Sequence, residues 1–389
     1  MFREQSLMNI PNDDCLWPLR FIFQNLYKIK VTNFIIKKML TNLTILLIIQ
    51  TYLFLRENSG SYFLKFLPAF AGSFFFLASY YSTPIIGKCV FDAIENAQLW
   101  QLNTSSPKLT KQVRREAFFT NLVGIVASIL AILSATAIGL PSGDKKDFMF
   151  FLAIYESFTP IWKRLVLWNH TFDIAFVALV AIAPCYNVIY LLTHVRLQCL
   201  MLLHHVRNLN CDYKFSNLFD LFHDDKYQRT IEERLKFCII RHSILLSILN
   251  KVRNELQHFI VIFATTGAVL FISIAVFCYS FEGNLRNEYK SLLLLVLIGA
   301  LTCGHVVVSG QLIENVTFDH YEILRTVEWD CWNTRNKNLF VIYLQNSREI
   351  FKIRFTENLS VNFLLGISIV RALFTAFSLM RQLQLSRKE

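Results

Sequence analysis

Apolar residues gather into seven stretches separated by polar segments, at about 39–55, 61–81, 117–140, 172–195, 257–279, 291–313 and 359–380. Each is close to the length a helix needs to cross ~30 Å of hydrocarbon. Between the fourth and fifth stretches the pattern changes. Leu235, Cys238, Ile239, Leu246, Leu249 and Val252 recur at helical spacing with charges elsewhere, and neither Pro nor Gly separates this stripe from the fifth stretch. That predicts one long helix projecting out of the membrane. A second projecting segment is expected from Asp319 to Glu357, which carries Trp329, Trp332 and the apolar run Leu339-Phe340-Val341-Ile342-Tyr343-Leu344. The fold class expected is an all-α membrane protein with seven transmembrane helices.

Charge sets the orientation. The segments sharing a side with the N-terminus hold 27 Lys and Arg residues against ten on the other side, and 17 against ten when the long 196–256 loop is left aside. Positive charge is retained on the cytoplasmic face, which places the N-terminus in the cytoplasm and the C-terminus outside the cell. Segments 196–256 and 314–358 then become cytoplasmic helices forming an assembly or anchor region within a single membrane domain covering 1–389. The net charge of +11 belongs largely to span-flanking loops, where membrane lipid headgroups account for it, so no nucleic-acid partner is expected. With 54% apolar and 17% charged residues, no segment is polar enough for a separate soluble domain. The first 38 residues mix Pro11, Asp13, Asp14 and Pro18 with basic residues, so a cleavable signal peptide is not expected.

Little points to catalysis or to a metal. The nine cysteines are scattered singly, without CxxC or HExxH spacing, and the spans hold no paired carboxylates and no Ser/His/Asp set. The chain is therefore read as a non-enzyme without cofactor or metal. His242 sits on the apolar stripe of its helix and is expected at a hydrogen-bonded interface, whereas the adjacent His204 and His205 point in different directions. Sequons occur at Asn42, Asn103, Asn169, Asn315 and Asn358, and only Asn169 falls in an expected outer loop, making it the glycosylation candidate.

The last stretch carries a polar stripe. Arg371, Thr375, Ser378 and Gln382 fall within about 60° of one helix face. An arginine inside a span costs several kcal/mol against lipid, so the stripe should meet protein or water. A hydrogen-bonded seam and a pore lining both fit.

From Leu235 to Gln382 the chain resembles insect odorant receptors, in three places and in that family's order. They are Leu-Lys-Phe-Cys-Ile-Ile-Arg-His at 235–242; Gly310-Gln311-Leu312 followed by the Trp329/Trp332 region and Asn338-Leu339-Phe340-Val341-Ile342-Tyr343-Leu344-Gln345-Asn346-Ser347; and Phe374-Thr375-Ala376-Phe377-Ser378-Leu379-Met380-Arg381. Residues 1–234 match only in layout. The resemblance implies a ligand-gated, non-selective cation channel, a tetramer with the seventh span of each subunit at the pore. It implies an odour-tuning subunit partnered by the odorant receptor co-receptor, whose loop between spans 4 and 5 is longer, in the plasma membrane of olfactory neuron dendrites. By position the constriction falls at Leu379, Gln382 and Leu383, and Gln382 also belongs to the polar stripe. Leu373 and Ala376 depart from the Ser and Tyr common there, and Arg371 is an unexpected charge beside a cation path.

A volatile ligand calls for an apolar cavity with aromatic walls and one or two hydrogen-bonding groups. The resemblance puts it in the outer halves of spans 2, 3, 4 and 6, where Tyr62, Phe66, Phe70, Leu133, Ala137 and Phe176 lie, with Tyr155 in the loop above. A gustatory receptor of the same superfamily is the nearest alternative: Thr375 and Gln382 fit its C-terminal signature, while Ala376, Arg381 and Leu383 do not. A G-protein-coupled receptor would show an acidic-Arg-Tyr triplet after span 3, where Gly139-Leu140-Pro141 stands, and a transporter would show repeated halves or broken spans.

Overall fold

The computed structural model describes residues 14–57, 60–95, 99–101, 106–139, 159–211, 218–280, 289–356 and 359–386. The chain opens on two short helices, α1 (Trp17–Arg20) and α2 (Leu26–Lys28), joined by a π-helical turn at Phe21–Asn25. The long helices follow as α3 (Lys30–Glu57), α4 (Gly60–Glu95), α5 (Pro107–Gly139) and α6 (Pro160–Arg207). After the short α7 (Leu218–His223) come α8 (Asp225–Ser280), α9 (Tyr289–Arg325), α10 (Thr334–Ser347) and α11 (Phe363–Ser386). Six helices among the described residues, α3, α4, α5, α6, α8 and α9, are long and apolar enough to cross a membrane. The described apolar part of α11, Phe363–Thr375, is shorter.

Serine and threonine are tolerated in these apolar helices because many of their hydroxyls return a proton to the carbonyl one turn back. Ser79 donates to the Phe75 carbonyl at 2.8 Å, Thr83 to Ser79 at 2.7 Å and Ser128 to Gly124 at 2.8 Å. Helix α6 is the hub, packing against α4, α5, α8 and α9. Its buried face from Ile182 to Val206 carries much of the principal core, and a smaller core of Ile36, Met39, Phe76 and Val180 joins α3, α4 and α6. The predicted stripe from Leu235 to Val252 lies within α8, which runs unbroken for 56 residues.

Trp332 organises the segment after α9. Fully buried, it donates its indole N–H towards Tyr227 Oη at 3.0 Å and Asn210 Oδ1 at 3.2 Å, and its ring meets Phe340 edge-on. Gln228 ties the same turn to α8, donating to the Cys331 carbonyl at 2.9 Å and accepting from the Asn333 N–H at 2.9 Å. Asn333 then caps α10 by accepting from the Asn336 N–H. Emptying such a site costs about 3–5 kcal/mol. Trp332→Ala is therefore expected to abolish monodisperse protein in detergent, with Trp332→Phe intermediate because it keeps the ring and loses the donor. Unchanged unfolding of Trp332→Ala would overturn this account of the segment.

Two sequence expectations need correction. The all-helical reading missed a hairpin: β1 (Arg354–Thr356) pairs antiparallel with β2 (Leu359–Ser360). The last helix consequently starts at Phe363 rather than 359. Phe351 and Ile353, two residues apart and both buried, show a strand's period before β1. Asn362 then accepts from the Leu364 N–H at 3.1 Å and starts the helix. Asn169, expected in a loop, lies inside α6.

Candidate functional site

Helix α11 is rooted in α9 by the Gly310-Gln311 pair. A Cβ added at Gly310 would sit 2.0 Å from the Val361 carbonyl oxygen, so only glycine lets the backbone pass there. Gln311 Oε1 accepts the Phe363 N–H at 3.2 Å, one of the donors a helix start leaves unpaired. Asn362 donates to Glu314 Oε2 at 3.1 Å, and Lys352 pairs with Glu314 Oε1 at 3.1 Å. A motif visible in the sequence thus has a mechanical role: it fixes where the last helix leaves the bundle.

Beyond that root α11 turns little of its surface to its own chain. Gly366 approaches Val307 and Leu365 touches the principal core, while Phe363, Leu364, Ile367, Val370 and Phe374 are exposed. Arg371, Thr375 and Gln382 are exposed as well, and Ser378 is half-buried. The polar stripe accordingly faces away from the chain's own helices. The side chains of Leu379 and Leu383 lie outside the described residues.

The expected ligand residues occupy different surroundings. Phe66 is buried on α4, where its carbonyl accepts from Gln50 of α3 at 3.3 Å. Phe70 is half-buried and meets Phe74 edge-on at 4.9 Å. Phe176 packs on the small core beneath α3 and against Phe172. Leu133 is exposed and Ala137 half-buried on α5. Phe66 and Phe176 thus lie on the side covered by α3, and Leu133 on a face the chain leaves open. Tyr155 and the side chain of Tyr62 lie outside the described residues.

Two polar clusters escaped the sequence reading. In the first, Asp14 sits with its side chain inaccessible to solvent. It accepts from the Leu16 N–H at 2.8 Å, Tyr190 Oη at 2.7 Å and His194 Nε2 at 3.0 Å, with Arg20 at 3.9 Å. Burial pushes the carboxyl pKa up, but the bond and charge of His194 and the bonds from Tyr190 and Leu16 outweigh it and hold the pKa below its ordinary value. In the second, Lys38 of α3 bonds Asn169 and pairs with Asp173 Oδ1 at 3.7 Å, while Asn42 and Asn169 donate to Asp173 Oδ2 at 3.3 and 3.2 Å. Asp173 stands alone as a carboxylate within the expected fourth span, a signal the sequence did offer.

Within α8, His242 has a neighbour the sequence did not suggest. It stacks on His320 with ring centroids 4.8 Å apart, and Tyr343 bonds His320 Nε2 at 2.9 Å. His204 is engaged by Asn208, and His205 by Trp100 and Phe237. Among the described residues no group of three His, Cys, Asp or Glu side chains is placed to hold a metal ion.

No family model and no curated protein matches the sequence. Solved structures do match. The structure of the insect olfactory receptor OR5 from Machilis hrabei superimposes with a TM-score of 0.68 at 10% sequence identity, covering 95% of this chain and 97% of that one. The same receptor in complex with eugenol gives a TM-score of 0.66 at 10% identity, over 95% and 97% of the two chains. The chain has an insect-olfactory-receptor-like fold.

Proposed function

We propose that this protein is an odour-binding subunit of a ligand-gated, non-selective cation channel. It works in a heteromer with the odorant receptor co-receptor in the plasma membrane of olfactory neurons, where α11 serves as a seventh span and its polar stripe lines the pore. The observation that carries this reading is that stripe: on a chain of olfactory-receptor fold, Arg371, Thr375 and Gln382 face away from the chain's own bundle. Thr375 returns its proton to the Arg371 carbonyl at 3.0 Å, but the Arg371 guanidinium and the Gln382 amide are costly against lipid, and a pore with neighbouring subunits would satisfy them. The basic-residue asymmetry supports a cytoplasmic N-terminus and an extracellular C-terminus. The structure solved with eugenol supports a small, largely apolar volatile as ligand. Tyr62, Phe66, Phe70, Leu133, Ala137, Tyr155 and Phe176 are the proposed wall of its site, Leu379, Gln382 and Leu383 the constriction, and Asn169 a glycan acceptor only if its helical turn opens.

Odour-evoked current is expected only when the chain and the co-receptor are expressed together, without any G-protein pathway. Gln382→Ala should shift cation permeability ratios or block while leaving the odour midpoint within about twofold, because groups at a constriction act on permeating ions. Unaltered permeation in a heteromer shown to contain the variant would move the pore away from α11.

A further inference from the structure

Tyr186 of α6 is completely buried, and its ring is held from three directions. Phe23 stacks on one face at 4.6 Å with the planes 8° apart, and His305 of α9 meets the ring edge-on at 5.6 Å. Gly124 of α5 passes so near that an added Cβ would lie 3.4 Å from Tyr186 Cε1. Thr302, one turn before His305 and on the same side of α9, is buried as well and turns its hydroxyl towards that of Tyr186. The two hydroxyls approach without closing a hydrogen bond. Tyr186 Oη, Thr302 Oγ1 and His305 Nδ1 are all shut off from solvent, and none of the three has a hydrogen-bond partner among the described residues.

Each of these atoms gave up its hydration on burial, a loss that a buried donor or acceptor ordinarily recovers by bonding. The stack on Phe23 keeps the Tyr186 ring from swinging away to find a partner elsewhere. Three polar groups along one seam is the number of bonds a small buried hydroxylic molecule makes. Its oxygen accepts from the two hydroxyls and its own proton goes to His305 Nδ1, which meets all three groups at once. An ether or ketone oxygen brings no proton and leaves that nitrogen unmet. The chain is open beside the seam. Cys303 and Gly304 are exposed, a Cβ added at Gly304 would meet nothing within 4 Å, and His305 itself is half-buried.

We infer that Tyr186, Thr302 and His305 bind one small hydroxylic molecule between α6 and α9, either water or the hydroxyl end of an alcohol. The site is separate from the odour wall proposed above. Tyr186 follows Phe176 by ten residues on α6 and Gly124 precedes Leu133 by nine on α5, which sets it about 14 Å away along both helices. It rests neither on odour binding nor on the position of the pore. His305 stands five residues before Gly310, where α11 is rooted against Val361. An occupant therefore links α6 to the stretch of α9 that holds the last helix.

The test is equilibrium unfolding of the full-length chain in detergent. Tyr186→Phe and Thr302→Val keep the shape of the side chain and remove one hydroxyl each. With the site occupied, each should lower the folded-to-unfolded ratio about fivefold, as for the loss of one neutral hydrogen bond. The double variant should lose less than the product of the two, since both bond the same occupant. His305→Phe, which keeps a ring against Tyr186, should act in the same direction. A Tyr186→Phe or Thr302→Val chain as stable as the wild type, or more so, would overturn the inference, because deleting a hydroxyl that meets nothing relieves a desolvation cost. Benzyl alcohol and toluene, at equal concentration in the micelle, separate the two sources of the hydroxyl. Protection by benzyl alcohol that exceeds that by toluene, and loses its excess in Tyr186→Phe, assigns the site to an alcohol. Equal effects of the two, with an infrared O–H stretch that shifts in heavy-oxygen water and is missing in Tyr186→Phe, assign it to water. Equal effects without such a band would overturn the inference.

Discussion

Asp14→Ala is expected to leave a chain that still inserts but unfolds at a clearly lower temperature in detergent. Removing one partner of a buried charge cluster costs about 3–5 kcal/mol, because the groups left behind stay desolvated and unpaired. Here those groups are Tyr190 Oη, His194 Nε2 and the Leu16 N–H. Asp14→Asn keeps the size and one acceptor oxygen and should lose less. His194→Phe should cost markedly less in the Asp14→Ala background than in the wild type, since contacting residues are not additive. The pH sign follows from a folded-state pKa held below the ordinary value. Stability from this cluster is fully present above the unfolded pKa of about 3.9 and falls away as pH drops through the folded value. Additive losses would dissolve the cluster as a unit.

The pair between α3 and α6 should behave differently, because it has an apolar replacement. Asp173→Leu takes the paired carboxylate from Lys38 and leaves its ammonium the Asn169 amide oxygen, on a helix apolar enough to cross a membrane. Surface expression and thermal stability should both drop. The double variant Lys38→Met/Asp173→Leu should recover most of the loss, since it removes both the buried carboxylate and the exposed ammonium that would otherwise lose its partner. A double variant as poor as the single one would give Asp173 a role beyond pairing with Lys38.

The first six apolar stretches were legible as long apolar helices because a run of about twenty apolar residues has few other uses, and the helix through Leu235 and Val252 because its period is set by one buried face. The Gly310-Gln311 pair could be seen as a motif, but its reason could not. The close approach of Val361 is a contact between two segments about fifty residues apart. Distance in sequence hid the polar clusters too. Asp14 meets its partners 176 and 180 residues away, and Asn42 meets Asp173 at a separation of 131. Asn169 was misplaced for a local reason: Asn169-His170-Thr171 lowers the hydropathy at the start of α6, and the helix continues because Lys38 and Asp173 satisfy that amide. The proposed odour residues were chosen by height in the bilayer alone, and height does not tell which way a side chain turns around its helix.

Helix α8 has 56 residues and no proline, whereas α4 and α6 carry Pro68, Pro84 and Pro184 in their interiors. At 1.5 Å per residue it is a strut about 84 Å long, nearly three times the thickness of the hydrocarbon layer it enters. A strut without a hinge cannot absorb a movement midway. A tilt of about 3° at one end displaces the other by about 4 Å, close to half the distance between packed helices. The Trp332 segment, bonded through Gln228 to the first turn of α8, thus lies at the far end of a lever whose other end is among the apolar helices.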